Sequence, residues 1–384
     1  DNYRENIDVF IVGGRIAKIA PHGQDPVIGE FVDYSSSTMI PGLMAGHSHQ
    51  TELLGEKLGR NWLAYGITSV RDPGSNPYKS LMRKETWEAG ASRGPRMFYA
   101  GWLTGGQRIY YGQSYNALHE RALRHELKRA EELDYDMIKS YVRLPDEFQQ
   151  ILIGEAHRMG IPLSSHEIAP AVQNSMDSVE HIAATSRRGY SPKFSHMAHS
   201  YEDVVNILSG SGLFITPTSV LDGGYHKYLK QNPEYVSDIK YRTFLDEILR
   251  EGQALAGNAS YAMAEIKQNP AIRNTIKTLH DNGANFAAGT DSPFIPYGIA
   301  QHFEIIMFVE AGLTPAEAIR TSTINVARNI GVEKDLGTLE VGKLADMAII
   351  DGDPLTDIRD IRKVSATVRG GHVYMALELT TNRK

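Results

Sequence analysis

From Thr38 onward the chain alternates short apolar segments of strand length with longer stretches of helical period, and no other feature restricts the fold as much. A parallel strand is buried on both faces and needs a crossover to return to the same edge of its sheet, so this alternation is the pattern of βα units on a parallel sheet. Eight segments qualify: 39–49, 67–72, 97–101, 137–142, 162–167, 178–181, 214–220 and 285–291, with amphipathic stretches such as 118–133 and 146–159 between them. The count matches a (β/α)8 barrel over 39–332. Between the seventh and eighth strands, 221–283 is rich in Tyr and charge and far longer than a βα connection, so it is expected to supply a lid. Thr314-Pro315-Ala316-Glu317 reads as a helix start, with Thr as N-cap, Pro in the first turn and Glu three residues on.

Both ends of the chain turn β-like. Val9-Phe10-Ile11-Val12 and Gly13-Gly14-Arg15-Ile16 at one end, and 344–350 with 364–373 at the other, flank the barrel in sequence. They are expected to pair into one small β-domain drawn from 1–38 and 333–384. The start inside a β-segment, with Asp1 in place of an initiator Met, predicts that a segment or domain stood upstream.

Composition removes several function classes. Lys and Arg total 40 against 46 Asp and Glu, a net charge of -6 that leaves no basic surplus for phosphate neutralisation, so nucleic acid is not an expected partner. No apolar run approaches the roughly 18 residues of a membrane-spanning helix, and Asp1 to Asn6 is too polar for a signal peptide, so a soluble chain without a membrane partner is expected. The absence of cysteine excludes disulfides, thiolate metal sites and cysteine nucleophiles, and leaves the compartment open. There is no phosphate loop and no dinucleotide fingerprint, and Gly46-His47-Ser48-His49-Gln50 lacks the closing Gly of a nucleophile elbow.

The strongest local signal is His47-Ser48-His49 at the end of the first barrel strand. Side chains at i and i+2 of a strand share a face, so both imidazoles can converge inside the barrel, as a metal requires. Alone, the pair reads equally as two unrelated polar residues. It gains weight because His166, His181 and Asp291 end the fifth, sixth and eighth strands, at the carboxyl edge where such barrels place their sites. Lys139 lies between apolar neighbours in the fourth strand. It is either an ion-paired ammonium or, with a depressed pKa, an amine that adds CO2 to become a carbamate, an anionic oxygen ligand able to bridge two metals.

The order His47-x-His49, Lys139, His166, His181, Asp291, with Ile40-Pro41-Gly42-Leu43 before the first pair, resembles the amidohydrolase superfamily. The segment from Leu336-Gly337-Thr338-Leu339 to Lys343-Leu344-Ala345-Asp346 is similar to the stretch that returns the chain to that family's small β-sandwich. Together these cover nearly the whole chain, and they look most like the branch with Xaa-Pro dipeptidases, imidazolonepropionase-like proteins and propeller-associated amidohydrolases. The resemblance implies two divalent metal ions, usually zinc, with manganese, cobalt or iron suiting the same donors. His47, His49 and Asp291 would hold one ion and His166 and His181 the other, with the CO2-derived carbamate of Lys139 between them. The chain departs from the family at Ala45, where an acidic residue usually stands, so a contact behind the ligands is not supplied there.

The expected activity is hydrolysis of an amide or peptide-like C–N bond in a small molecule, with Asp291 as ligand and general base. Tyr141 and Arg143 share the face of Lys139 if the strand stays regular, and Arg143 can then hold a substrate carboxylate, which points to an N-acyl amino acid or a dipeptide. The other reading of Arg143 is a surface residue at a strand end. Tyr225 and His226 follow the seventh strand and can meet substrate at the barrel mouth, or His226 is a loop histidine. The remaining histidines, including His196, His199 and His302, read as surface or helix residues. Two rivals stay open: a mononuclear hydrolase of cyclic amides, and a non-catalytic barrel serving as an assembly subunit. Relatives further imply a homo-oligomer.

Overall fold

The computed structural model describes residues 3–52, 54–106, 112–168, 172–183, 201–244 and 259–381. It opens on a hairpin of β1 (Ile7–Val12) and β2 (Arg15–Pro21), turned by Gly13 and Gly14 at φ 57° and 77°, the left-handed backbone that a two-residue hairpin turn demands. β3 (Thr38–Pro41) pairs antiparallel with β14 (Met347–Ile350), which pairs with β15 (Val364–Arg369) and it in turn with β16 (His372–Met375). The two ends of the chain therefore share one four-stranded sheet, to which the hairpin is tied by Ile16 N to Lys343 O and Ala345 N to Gly14 O, both 2.9 Å.

The single strand expected over 39–49 is two strands in two sheets. After Gly42, whose amide bonds to Asp346 O, the chain leaves the small sheet and forms β4 (Leu43–Ala45), which runs parallel to β5 (Ile67–Asp72) and through it to β6 (Arg96–Tyr99). A parallel pair not foreseen from sequence follows, β7 (Leu103–Gly105) and β8 (Ser114–Asn116). A second parallel sheet holds β9 (Ile138–Lys139), β10 (Leu163–Ser165), β11 (Ser178–Glu180), β12 (Phe214–Thr216) and β13 (Asn285–Phe286) in chain order. Each of the eight segments read from the sequence thus contains one strand of these two sheets. Hydrogen bonds join them on both sides: Gly46 N to Ala288 O at 2.7 Å between the ends of β4 and β13, and Asp136 N to Tyr99 O at 3.0 Å between β6 and the start of β9.

Helices fill the intervals: α1 (Glu56–Ala64), α2 (Pro77–Glu88), α3 (Glu120–Glu132), α4 (Asp146–Arg158), α5 (Glu202–Gly210), α6 (Tyr225–Gln231), α7 (Ala259–Asp281), α8 (Ile299–Glu310), α9 (Pro315–Thr321), α10 (Ile324–Asn329) and α11 (Ala376–Leu379). Their ends follow local chemistry. Asn76 caps α2 through the amides of Tyr78 and Lys79 with Pro77 behind it, and Thr314 with Glu317 forms the capping box foreseen for α9. α8 is buried from Ile299 to Phe308 on all sides, including Gln301, His302 and Glu304. His302 is therefore a core residue, its ring bonded to Tyr65 O at 2.7 Å. The long segment 221–283 is not a uniform insertion: α7 leads directly into β13 and is the crossover helix of the last unit. Its residues 245–258, like His196 and His199, lie outside the described residues.

Candidate metal centre

The carboxyl ends of the parallel strands converge, and the backbone fixes how closely. His47 follows β4, and its carbonyl accepts from the amides of both Thr290 (2.9 Å) and Asp291 (3.1 Å). Gly289 permits this approach, since a Cβ there would stand 2.6 Å from the His47 Cβ. As a result His47 Nε2 and His49 Nε2 lie 3.3 and 3.2 Å from Asp291 Oδ1, and His181 Nε2 lies 3.8 Å from Asp291 Oδ2. His47, His181 and Asp291 each offer a ligand atom within 4.8 Å of the others, and all three are buried. His181, Thr218 and Asp291 hold left-handed backbone, at φ 56°, 51° and 57°, conformations that non-glycine residues keep only where the surroundings impose them.

Proton positions follow from the partners behind each ring. His49 Nδ1 faces Gly74 O at 2.7 Å, an acceptor only, so that nitrogen carries the proton. His47 Nδ1 donates to Glu180 Oε2 at 2.7 Å. The Thr218 hydroxyl donates to Pro217 O (2.8 Å), so it accepts from His181 Nδ1 (2.6 Å). The outer nitrogens being engaged, the Nε2 atoms of all three rings turn toward Asp291. His47 Nε2 and Asp291 Oδ1 are buried without a hydrogen-bond partner although 3.3 Å apart, two donors aimed at a common point with no proton aligned between them. These residues fit a divalent cation of the kind bound by imidazole and carboxylate.

The electrostatics agree. Burial opposes ionisation of Asp291, yet His181, His47 and His49 hold its carboxyl well below the usual range. Burial likewise opposes a charge on His49, but Asp291 and Asp72 outweigh it and carry the imidazole up to about 10, so the site attracts a positive charge at this point. Burial pushes His181 well below its ordinary value.

Behind the cluster lies a buried ionic group that the sequence reading missed. Glu180 Oε1 accepts from Arg71 at 2.8 Å and lies 3.6 Å from Lys139 Nζ, and Arg71 also bonds Gly46 O at 2.9 Å. Against its burial, Arg71, Lys139 and His47 keep Glu180 ionised. It supplies from β11 the carboxylate that Ala45, fully buried and apolar, does not. Burial, with Arg71 nearby, lowers the Lys139 amine to about 8 in spite of Glu180. The legible signal was charge inside apolar strands: Glu180 beside His181, and Arg71-Asp72 ending Ile67–Asp72, whose six residues are all buried.

The remaining expected residues divide. The His166 ring is 4.8 Å from that of His181 and 5.0 Å from that of Tyr141, so both line the cluster. Arg143 does not share the Lys139 face by strand regularity, because β9 ends at Lys139 and the chain turns at Arg143, φ 64°, whose side chain is exposed. Tyr225 is not at the mouth: it is buried against Phe303, and its hydroxyl bonds that of Tyr241 at 2.8 Å, because α6 folds its first turn onto α8. His226 packs its ring on Tyr225 at 5.4 Å and is half-buried.

Residues 60–374 match the model of the amidohydrolase family, and the chain belongs to that family. It is 37% identical over 102 residues to the imidazolonepropionase of Maricaulis maris, a match covering 25% of this chain and only 23% of that protein. It is 22% identical to the 5-methylthioadenosine/S-adenosylhomocysteine deaminase of Thermoanaerobacter pseudethanolicus, over 91% of this chain and 81% of that one. Among solved structures, a Xaa-Pro dipeptidase with methionine in its active site superposes with a TM-score of 0.73 at 19% identity, over 96% of this chain and 95% of that one, a likeness of fold.

Proposed function

We propose that this chain is a metal-dependent hydrolase that cleaves the amide or peptide-like bond of an N-acyl amino acid or dipeptide-like substrate. In this reading the parallel strands form a (β/α)8 barrel and the chain ends a small β-sandwich, the barrel starting at Leu43 because β3 pairs with β14. The observation that carries the reading is the buried, unpartnered approach of His47 Nε2 to Asp291 Oδ1, with the outer nitrogens of His47, His49 and His181 engaged.

His47, His49 and Asp291 would hold one cation, His166 and His181 a second, and a carbamate on Lys139 would lie between them. Divalent cations at such donors, zinc above all, polarise a carbonyl and lower the pKa of water. Lys139 suits carbamate formation because burial brings its amine to about 8, so neutral amine is accessible near pH 7. Loss of the ammonium does not strand Glu180, since Arg71 still pairs it. Asp291, ionised and facing the three imidazoles, takes a proton from the attacking water and delivers it to the departing nitrogen. Tyr141, against His166, forms one wall, and Arg143, exposed at the turn after β9 rather than on the strand face, would have to reach a substrate carboxylate from the solvent side.

Elemental analysis of the purified protein tests the metal reading, two ions per chain being expected; one would favour the mononuclear cyclic-amide hydrolase, and none the non-catalytic subunit. A panel of N-acyl amino acids and dipeptides against their carboxamides tests the substrate class. Wild type should prefer the free acids and Arg143→Met should lose that preference, by about thirtyfold for a charge-assisted pair of about 2 kcal/mol. Equal kcat/KM on acid and carboxamide in wild type would remove Arg143 from the reading.

A further inference from the structure

Glu304 lies on α8 and is fully buried, and among the described residues no basic side chain pairs with it. A buried carboxyl group is stable only if its oxygens are satisfied, and those of Glu304 are satisfied by one turn of chain: Ser219 N at 3.0 Å, Ser219 Oγ at 2.8 Å and Val220 N at 2.7 Å. These donors follow directly on Thr218, whose backbone is left-handed at φ 51° without being glycine. On the other side of Thr218, Ile182 N bonds Pro217 O at 3.1 Å and His181 N bonds Thr216 O at 2.7 Å. Thr218 is thus held between a strand and a carboxyl group from a different helix. Its hydroxyl, donating to Pro217 O, is the acceptor that puts the His181 proton on Nδ1.

We propose that Glu304 is a positioning residue for His181: by clamping Ser219 and Val220 it holds Thr218 in the left-handed conformation, and the Thr218 hydroxyl thereby fixes His181 as the tautomer whose Nε2 lone pair faces Asp291. Without the clamp the turn relaxes toward ordinary backbone, the hydroxyl swings away and His181 loses the partner of its outer nitrogen. The ring can then carry its proton on either nitrogen, and the Nε2-protonated form cannot bind a metal. A cap that merely stabilises the turn would leave the tautomer unchanged.

The inference rests on the metal site proposed above, so its test separates the two. Nitrogen-15 spectra of the imidazoles in metal-free protein, with His181 assigned from His181→Gln, read the tautomer directly, and competition with a chelator reads zinc affinity. Wild type should show His181 protonated on Nδ1 alone. Glu304→Gln, which cannot accept from all three donors, should give mixed tautomers and bind zinc roughly 10- to 100-fold more weakly. Thr218→Val should reproduce both effects with Glu304 intact, so the proposal can still be overturned if Glu304→Gln fails to fold, and Thr218→Ser should keep wild-type behaviour. A single Nδ1-protonated His181 in Glu304→Gln or in Thr218→Val would overturn the proposal. If wild type binds no zinc, the metal reading falls while the tautomers alone still decide the role of Glu304.

Discussion

Asp291 and His47 meet because two backbone amides, not their side chains, bring them together, so replacing one side chain should leave the other in place. Asp291→Asn keeps an oxygen beside the imidazoles and removes the base. Because a positioned general base contributes roughly 10²- to 10⁴-fold, kcat should fall by that order while zinc affinity, read by chelator competition, falls much less. Near wild-type turnover would send the search for the base elsewhere, with His226 first. Lys139→Ala should lower activity by orders of magnitude, and added acetate or propionate should restore part of it by standing in for the carbamate. A fully active variant with two tightly held metals would end the carbamate reading.

At the scale of the element, α3 shows how a helix can carry charge on its inner stripe. Leu123, Glu126, Leu127 and Ala130 are its buried residues, the i, i+3, i+4, i+7 spacing of a core-facing face with a carboxyl in it. Glu126 bonds Arg129 and the Tyr135 hydroxyl, yet burial dominates and raises its pKa from 4.5 to about 7. The folded protein therefore binds this proton more tightly than the unfolded chain does. Its contribution to stability is largest below pH 4.5 and is lost as pH rises from there to about 7, by about 3 kcal/mol in all. Glu126→Gln should remove that slope: relative to wild type it should gain stability from about pH 4.5 to about pH 7 and level off above that in urea titrations. A difference between the two proteins that does not vary with pH would mean Glu126 stays ionised throughout.

At the scale of the molecule, the small sheet and the parallel sheets are one fabric. Asp346, beside β14, bonds Arg96 of β6 at 3.0 Å and Gly370 N at 2.7 Å, and Thr367 of β15 bonds Leu63 O of α1 at 2.6 Å. Metal held where strand ends from both parallel sheets meet should stabilise the whole by mass action, about 2.7 kcal/mol at a hundredfold excess over Kd. Stripping with a chelator should therefore lower Tm by a few degrees, and returning zinc should restore it. Metal loss with an unchanged Tm would show that the cluster binds no ion selectively in the folded state.

Periodicity and local chemistry sufficed for much of this protein. Eight strand-bearing segments, the capping box at Thr314 and the convergence of His47, His181 and Asp291 from strand ends could be read without coordinates, because burial on both faces, orphan amides and side-chain chemistry all leave marks within a few residues. Sequence did not reach the groups whose roles depend on neighbours far along the chain. Glu180 meets Arg71 and His47 across 109 and 133 residues, and Glu304 meets Ser219 across 85. Nor did it locate the end of β9, which strips Arg143 of the strand face it was given, or the turn of α6 that buries Tyr225. Pattern determines which residues must leave water; which buried charge finds which partner, and therefore which nitrogen of each histidine keeps its proton, is settled only when distant strands are brought within hydrogen-bonding distance.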